Sequence, residues 1–154
     1  MIRVALTVLV AVALLTASMP AIETARTATT ADRIGAEADR LERAIGGVVA
    51  GSSPVDDPAL AAQATVRFRI PTGFAAAEVD RVALVEPPDR PGGVVLAYRV
   101  EDRPKRTVRV GTGPVEVTVD LGGGPIELRP GGTNRIRLRY VDDEGPTVRI
   151  NRAG

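Results

Sequence analysis

The sequence predicts an α+β protein in which a long N-terminal helix precedes an antiparallel all-β domain, folded as a sandwich or as one strongly curved sheet. Three observations predict this class. Residues 4–22 carry no charge. Residues 23–50 place apolar side chains at steps of three and four, which is the period of one helix face. From residue 64 the apolar period changes to two, which is typical of strands with one buried face and one wet face.

The first segment, residues 1–22, is predicted to be a transmembrane anchor. No charge lies between Arg3 and Glu23, and about 20 apolar residues are needed to cross the hydrocarbon core of a bilayer. A retained anchor and a cleaved secretory signal both fit this run, although the residues before Ala17 and Ala21 make poor cleavage contexts. We expect a single-pass protein of the cell membrane with its C-terminal domain outside the cytoplasm.

Residues 23–50 are predicted to continue the helix as an amphipathic segment, with Glu37 and Arg40 spaced for pairing on its charged side. Proline is expected to kink or break the helix near the membrane exit, because it lacks a backbone N–H and clashes with the preceding turn. The apolar stripe needs a surface to cover, which is either the chain's own β domain or a helix of another subunit. The predicted helix-packing residues are Pro20, Ile34, Ala38, Leu41, Ile45 and Val48.

A linker over residues 51–63 leads into the β domain, predicted over residues 64–154. Clusters of Gly, Pro and Asp separate short alternating runs, and seven or eight strands in about 90 residues are typical of a sandwich or a strongly curved antiparallel sheet. The alternation is clearest over residues 66–70, 94–100, 115–119 and 136–140, with shorter candidates over 80–86, 105–110, 125–129 and 146–151.

Arginines occupy outward positions of several predicted strands, and Arg135, Arg137 and Arg139 form one row. Such a row can bind an acidic partner, an anionic glycan or lipid headgroups through charge-assisted hydrogen bonds. The alternative is a solvated strand face whose arginines pair across strands with acidic side chains, namely Glu116, Asp120 and Glu127.

Two further motifs predict turns. The glycine-rich segments 111–113 and 122–124 have no helix behind them, so they predict hairpin turns and not a phosphate-binding loop. The acidic run 142–145 offers carboxylates to a hard cation, but it lacks the ligand spacing of an EF-hand loop and predicts an acidic turn.

The composition excludes several kinds of chemistry. The chain has no cysteine and no histidine, which excludes disulfide frameworks, the usual zinc sites, thiol catalysis and histidine-based triads. A formal net charge of +1 argues against a nucleic-acid-coating protein. The serines lie in the anchor and the linker, at positions 18, 52 and 53. We therefore predict no enzyme activity, no metal, no cofactor, no nucleic acid and no small-molecule substrate.

An apolar N-terminal helix ending near Pro20, an amphipathic continuation and then a β domain together look like type IV pilins and pseudopilins. In that family the apolar half-helix holds the subunit in the membrane and later packs in the filament core. The resemblance matches residues 4–22 and 23–48 to the two halves and Pro20 to the kink. No basic leader with a glycine cleavage site precedes the apolar run, and residues 5–7 are apolar where pilins place a glutamate. The resemblance therefore implies a minor or accessory component.

Shorter phrases resemble a haloarchaeal family of membrane-anchored proteins: the opening MIRVALTVLVAVALLTASMPAIETAR, DRVAL at 80–84, AYRV at 97–100 and the arginine-rich β tail. Members of that family tend to be encoded beside pilus-type secretion ATPases and their membrane platform proteins. This resemblance implies a role in a surface filament or secretion apparatus, with the membrane, related subunits or further copies of the chain as partners. The second hypothesis is an anchored or secreted β-sandwich binding module that recognises an anionic surface ligand through its arginine-bearing strands.

Overall fold

The computed structural model describes residues 2–101, 103–111 and 117–153, and within them one long helix precedes eight strands. Helix α1 (Ile2–Ala50) has 49 residues, which makes it about 70 Å long at 1.5 Å per residue. The predicted α+β class is confirmed. The strands are β1 (Ala62–Phe68), β2 (Val79–Val85), β3 (Val94–Val100), β4 (Arg106–Val110), β5 (Thr118–Asp120), β6 (Ile126–Leu128), β7 (Asn134–Asp142) and β8 (Pro146–Arg152).

The strands form two four-stranded sheets, one in the order β1-β7-β8-β5 and the other in the order β4-β3-β2-β6. Neighbouring strands are antiparallel except β5 and β8, which run parallel. Strand β7 shows the alternation that the sequence predicted: Ile136 and Leu138 are fully buried, whereas Arg135 and Arg137 are exposed. Because the inner faces of both sheets contribute to one hydrophobic core, the domain is a two-sheet sandwich.

One predicted hairpin turn is a connection between the sheets instead. The segment 121–125 leads from β5 in one sheet to β6 in the other. The prediction of a hairpin there was wrong because glycine marks where a chain reverses without specifying which strand comes next beside it. Of the other predicted turn, 111–113, residues 112 and 113 lie outside the described residues. Gly122 and Gly124 have φ values of 37° and 89°. Of the predicted strand 115–119, residues 115 and 116 lie outside the described residues.

The linker is shorter than predicted and is held against the sandwich. Strand β1 begins at Ala62, two residues before the predicted start of the β domain. Val55 forms a parallel bridge with Val141 on β7, and the backbone N–H of Asp142 donates to the carbonyl of Val55 at 3.0 Å. The linker therefore pairs with the last residues of β7, just beyond the start of β1.

The second half of α1 completes the core of the sandwich. It packs against β1, β4 and β7, so it lies along the side of the sandwich where β1 and β4 are the edge strands. The partner of the apolar stripe is thus the chain's own β domain. Val48 is only half-buried and Val49 takes the core position, because a repeat of 3.6 residues after Ile45 falls between the two. Of the other predicted helix-packing residues, Ile34, Ala38, Leu41 and Ile45 are all buried, whereas Pro20 is exposed.

Glycine-to-alanine changes are expected to have opposite effects at two positions. The Gly46-Gly47 pair does not end α1, which continues to Ala50, and a Cβ atom at Gly47 would meet nothing within 4 Å. Gly47→Ala should raise the free energy of unfolding by about 0.5–1 kcal/mol, because alanine loses less conformational freedom on forming a helix. Gly124→Ala should lower it by about 1–2 kcal/mol, because an L side chain is strained at that residue's positive φ.

Chemical denaturation of the two variants beside the wild-type protein measures both effects. A Cβ atom at Gly124 would likewise meet nothing within 4 Å, so the pair isolates backbone conformation from packing. Equal stability changes in the two variants would contradict the helical backbone assigned to residue 47.

Candidate functional site

The first half of α1 is an apolar rod that is not buried in the described chain. All side chains over residues 2–25 are exposed, and this is the helix that is long and apolar enough to cross a membrane. We call residues 2–22 the exposed half. It measures about 30 Å at 1.5 Å per residue, which matches the thickness of a hydrocarbon core. An exposed apolar surface of this size indicates an apolar environment or partner.

The hydroxyl side chains of the exposed half are satisfied within the helix. The hydroxyl of Thr7 donates to the carbonyl of Arg3 at 2.9 Å, and that of Ser18 donates to the carbonyl of Leu14 at 2.7 Å. The hydroxyl of Thr16 bonds to the carbonyls of the residues three and four positions before it. These bonds suit a hydrocarbon environment, where a polar group finds no water to bond.

Pro20 lies inside α1, and the helix continues across it without interruption. The alternative of a break at the membrane exit is therefore wrong. Proline removes one i to i−4 hydrogen bond, the one that the carbonyl of Thr16 would accept. On the following turn the hydroxyl of Thr24 donates to the carbonyl of Pro20 at 2.8 Å.

The docked half of α1, residues 27–49, presents polar groups to the edges of both sheets. The buried hydroxyl oxygen of Thr30 accepts from the backbone N–H of Ala77 at 2.9 Å. The carboxylate of Glu42 accepts from the N–H of Gly111, just after β4, at 3.1 Å. A Cβ atom at Gly111 would lie 2.7 Å from the Glu42 carboxylate, so glycine permits this close approach.

Glu37 holds α1 to the other sheet. Its Oε1 accepts from the Arg40 guanidinium at 3.0 Å, which confirms the predicted pairing. Its Oε2 accepts from the backbone N–H of Arg69, just after β1, at 3.4 Å. The sequence placed Glu37 on the charged side of the helix, but its side chain is buried. Glu37 and Glu42 accept hydrogen bonds from backbone N–H groups just after edge strands of both sheets. Because these donors are satisfied by the helix, α1 is an integral part of the sandwich.

The outer face of the β1-β7-β8-β5 sheet carries closely spaced arginines. The register places Arg67 directly opposite Arg135, and it places Arg139 opposite Arg149. Like charges in directly opposed positions destabilise a sheet. We call Arg67, Arg135, Arg137 and Arg139 the arginine face.

Acidic partners of the arginine face are scarce among the described residues. Asp120 and Asp143 both pair with Arg149, and no described carboxylate pairs with any member of the arginine face. The buried Nε of Arg139 has no hydrogen-bond partner in the described chain. The predicted pairing with Glu127 was wrong, because Glu127 lies on β6 in the other sheet. Glu116 lies outside the described residues.

The acidic run at 142–145 forms the tight turn between β7 and β8. Asp142 accepts from the backbone N–H of Gly145 at 3.0 Å, and Asp143 pairs with Arg149. These bonds give two of its carboxylates a structural role in the turn. Over the described ranges, no group of three or more His, Cys, Asp or Glu side chains is placed to hold a metal ion.

A family model matches residues 1–153 of the chain, which is almost its whole length. The chain belongs to the DUF7311 family. That family is described as a domain of unknown function. No curated protein and no solved structure matches the chain.

This DUF7311 protein has two distinctive surfaces among its described residues. One is the exposed half of α1, and the other is the arginine face. The predicted packing residues Ile34, Ala38, Leu41 and Ile45 belong to neither surface, because they are buried inside the domain.

Proposed function

We propose that this DUF7311 protein is a membrane-anchored, pilin-like or accessory component of an archaeal type IV pilus-like or secretion apparatus. The observation that carries the proposal is the division of α1. Its docked half completes the core of a β sandwich, whereas the side chains of its exposed half are all exposed and supply no residue of the described core. The division supports a single-pass protein of the cell membrane, with the β domain displayed outside the cytoplasm.

The same division indicates which part of the helix is free to meet another subunit. The apolar stripe from Ile34 to Val49 is buried in the chain's own core. The exposed half is therefore the part of α1 that can pack with other helices. Small side chains let membrane helices approach closely, and Ala5, Ala11 and Ala13 are interspersed among larger residues there. The protein would act by packing this rod against copies of itself or against related subunits.

A cysteine scan of the exposed half tests this function. The chain has no cysteine, so each introduced thiol is unique and can carry a photoactivatable crosslinker in native membranes. Crosslinked adducts with another subunit should recur every three to four positions, because one face of a helix meets its partner. Leu60→Cys is the control, since Leu60 is 77% exposed and lies in the linker. A scan that gives no adduct at any helical position would overturn the proposed assembly.

A second candidate function is favoured by the arginine face. Among the described residues, no carboxylate pairs with the opposed Arg67 and Arg135, and the buried Nε of Arg139 has no hydrogen-bond partner. Such an arrangement is costly to maintain without a counter-charge. An anchored or secreted binding module would use these side chains to hold an anionic surface ligand, such as an acidic glycan.

The triple variant Arg135→Ser, Arg137→Ser, Arg139→Ser separates the two functions. If the protein works by helix packing, the crosslinked adducts should remain unchanged. If it binds an anionic ligand, the variant should elute from a sulfated polysaccharide column at lower salt than the wild-type protein, because fewer charge-assisted bonds remain. The matched control removes the same charge elsewhere, through serine at the exposed positions Arg33, Arg43 and Arg90. If the arginine-face variant and the control variant lost retention equally, the cause would be net charge. That result would contradict specific binding by the arginine face.

A further inference from the structure

The contacts of α1 define which end of the β domain lies beside the exposed half. Thr30 bonds to Ala77 on the connection between β1 and β2, and the Arg26 guanidinium lies over the ring of Phe74 on the same connection. We call this the near end. The opposite, far end lies beside Ala50, where α1 finishes and the linker begins. The pairing of neighbouring strands then shows which end of every other strand lies at the near end and which lies at the far end.

Phe74 is the most exposed large apolar side chain of the β domain, at 90% exposure. The Cζ atom of Arg26 lies 4.4 Å from the centre of its ring, within the range of a cation–π contact. Arg26 follows Ile22, the last large apolar residue of the exposed half, by about 6 Å along the helix axis. Helical side chains tilt toward the N-terminus, so the guanidinium and the ring approach the level at which the apolar run ends.

The two ends of the β domain carry opposite charge among the described residues. Exposed basic side chains dominate the turns and strand ends of the near end: Arg69, Arg103, Lys105, Arg106, Arg129, Arg135 and Arg152, against Glu78, Asp80 and Glu101. Exposed acidic side chains dominate the far end: Asp56, Asp57, Glu86, Asp89, Asp142, Asp143 and Glu144, against Arg90 and Arg109.

We propose that the near end of the β domain is a contact surface for an anionic lipid bilayer. Phe74 enters the interfacial layer, where apolar side chains such as Phe are buried at the headgroup boundary, and the basic turns lie on the lipid phosphates, which attract Lys and Arg. The acidic far end faces away from the lipid. This inference rests on the proposed anchoring of α1, and it adds that the sandwich sits on the membrane surface instead of standing clear of it.

Tryptophan fluorescence tests the contact on the full-length protein. The chain has no tryptophan, so Phe74→Trp introduces a single reporter. The variant is reconstituted into vesicles of phosphatidylcholine and phosphatidylglycerol in which the acyl chains are brominated near the headgroup. Its emission should be blue-shifted and should be quenched relative to vesicles without bromine, because the ring lies in the interfacial layer. The matched control Leu60→Trp replaces an apolar residue of the linker, beyond Ala50, that is 77% exposed, and its emission should be unchanged.

A third reporter separates this proposal from the anchoring of α1. Leu14→Trp lies within the exposed half and should be quenched by bromine placed deep in the acyl chains. Quenching at residue 14 without quenching at residue 74 would overturn the membrane contact and leave the anchor intact. Absence of quenching at both would overturn the anchor itself. Quenching at residue 60 as strong as at residue 74 would overturn the assignment of the near end.

A last experiment repeats the quenching measurements in vesicles without anionic lipid. In vesicles of phosphatidylcholine alone, the quenching at residue 74 should fall while the quenching at residue 14 stays the same. Unchanged quenching at both positions would overturn the part of the proposal that assigns the basic turns to anionic lipid.

Discussion

Leu41→Asp is expected to unfold the β domain as well as to release the helix. Leu41 is fully buried in the one core that α1 shares with both sheets. Losing a buried leucine side chain costs about 2–5 kcal/mol, and an unpaired buried carboxylate adds a further desolvation cost. Domains have a total stability of about 5–15 kcal/mol, so the substitution removes a large share of it. The measurement is thermal and chemical denaturation of the full-length protein in detergent, followed by the β-sheet circular dichroism signal.

Ala36→Asp is the matched control, because it places the same carboxylate on the exposed side of the same helix. Its stability should lie within about 0.5 kcal/mol of the wild-type value. If the Leu41 variant instead kept a native sandwich with a detached helix, α1 would be an appendage and its apolar stripe would be free for other subunits. That outcome would contradict the shared core.

The second large effect concerns the exposed half. The double variant Leu9→Arg, Leu14→Arg is expected to lose its membrane association. Each arginine near the centre of a membrane helix costs about 2.5–3.5 kcal/mol on the insertion scale, so the pair should move most of the protein from membrane pellets to the supernatant on alkaline extraction. The β domain should keep its wild-type unfolding transition, because both leucines are exposed and lie outside its core.

Leu60→Arg provides the comparison for this variant. It makes the same change at an exposed leucine outside the helix, and it should stay in the pellet. Retention of the double variant to the same extent as the wild-type protein would show that the apolar run is not what holds the protein on the membrane.

The strands were predictable because their periodicity is local. In β7, apolar Ile136 and Leu138 alternate with Arg135 and Arg137, and the structure buries the first pair and exposes the second. Sheet membership was not predictable, because β5 and β6 follow one another closely in sequence yet belong to different sheets. The pairing of Arg67 with Arg135 likewise depends on a register that alternation alone does not specify.

The polar contacts of the docked half show a second limit. Thr30, Glu37 and Glu42 bond to backbone donors that lie 47, 32 and 69 residues away in sequence. Nothing near these residues in the chain indicates such partners, so helical periodicity assigns Glu37 to the solvated side. These three side chains share one feature: each borders the apolar stripe of α1, where the helix meets the edge of a sheet. That feature identifies them only once the position of the sheet edges is known.

The most direct test of the central claim is the intact mass of the native protein, measured separately from isolated membranes and from the culture medium. A retained anchor predicts a full-length species of 16.1 kDa in the membrane fraction. A soluble species that lacks about 21 N-terminal residues would show a cleaved signal. That result would remove the exposed half from the mature protein and contradict both the anchor and the assembly built on it.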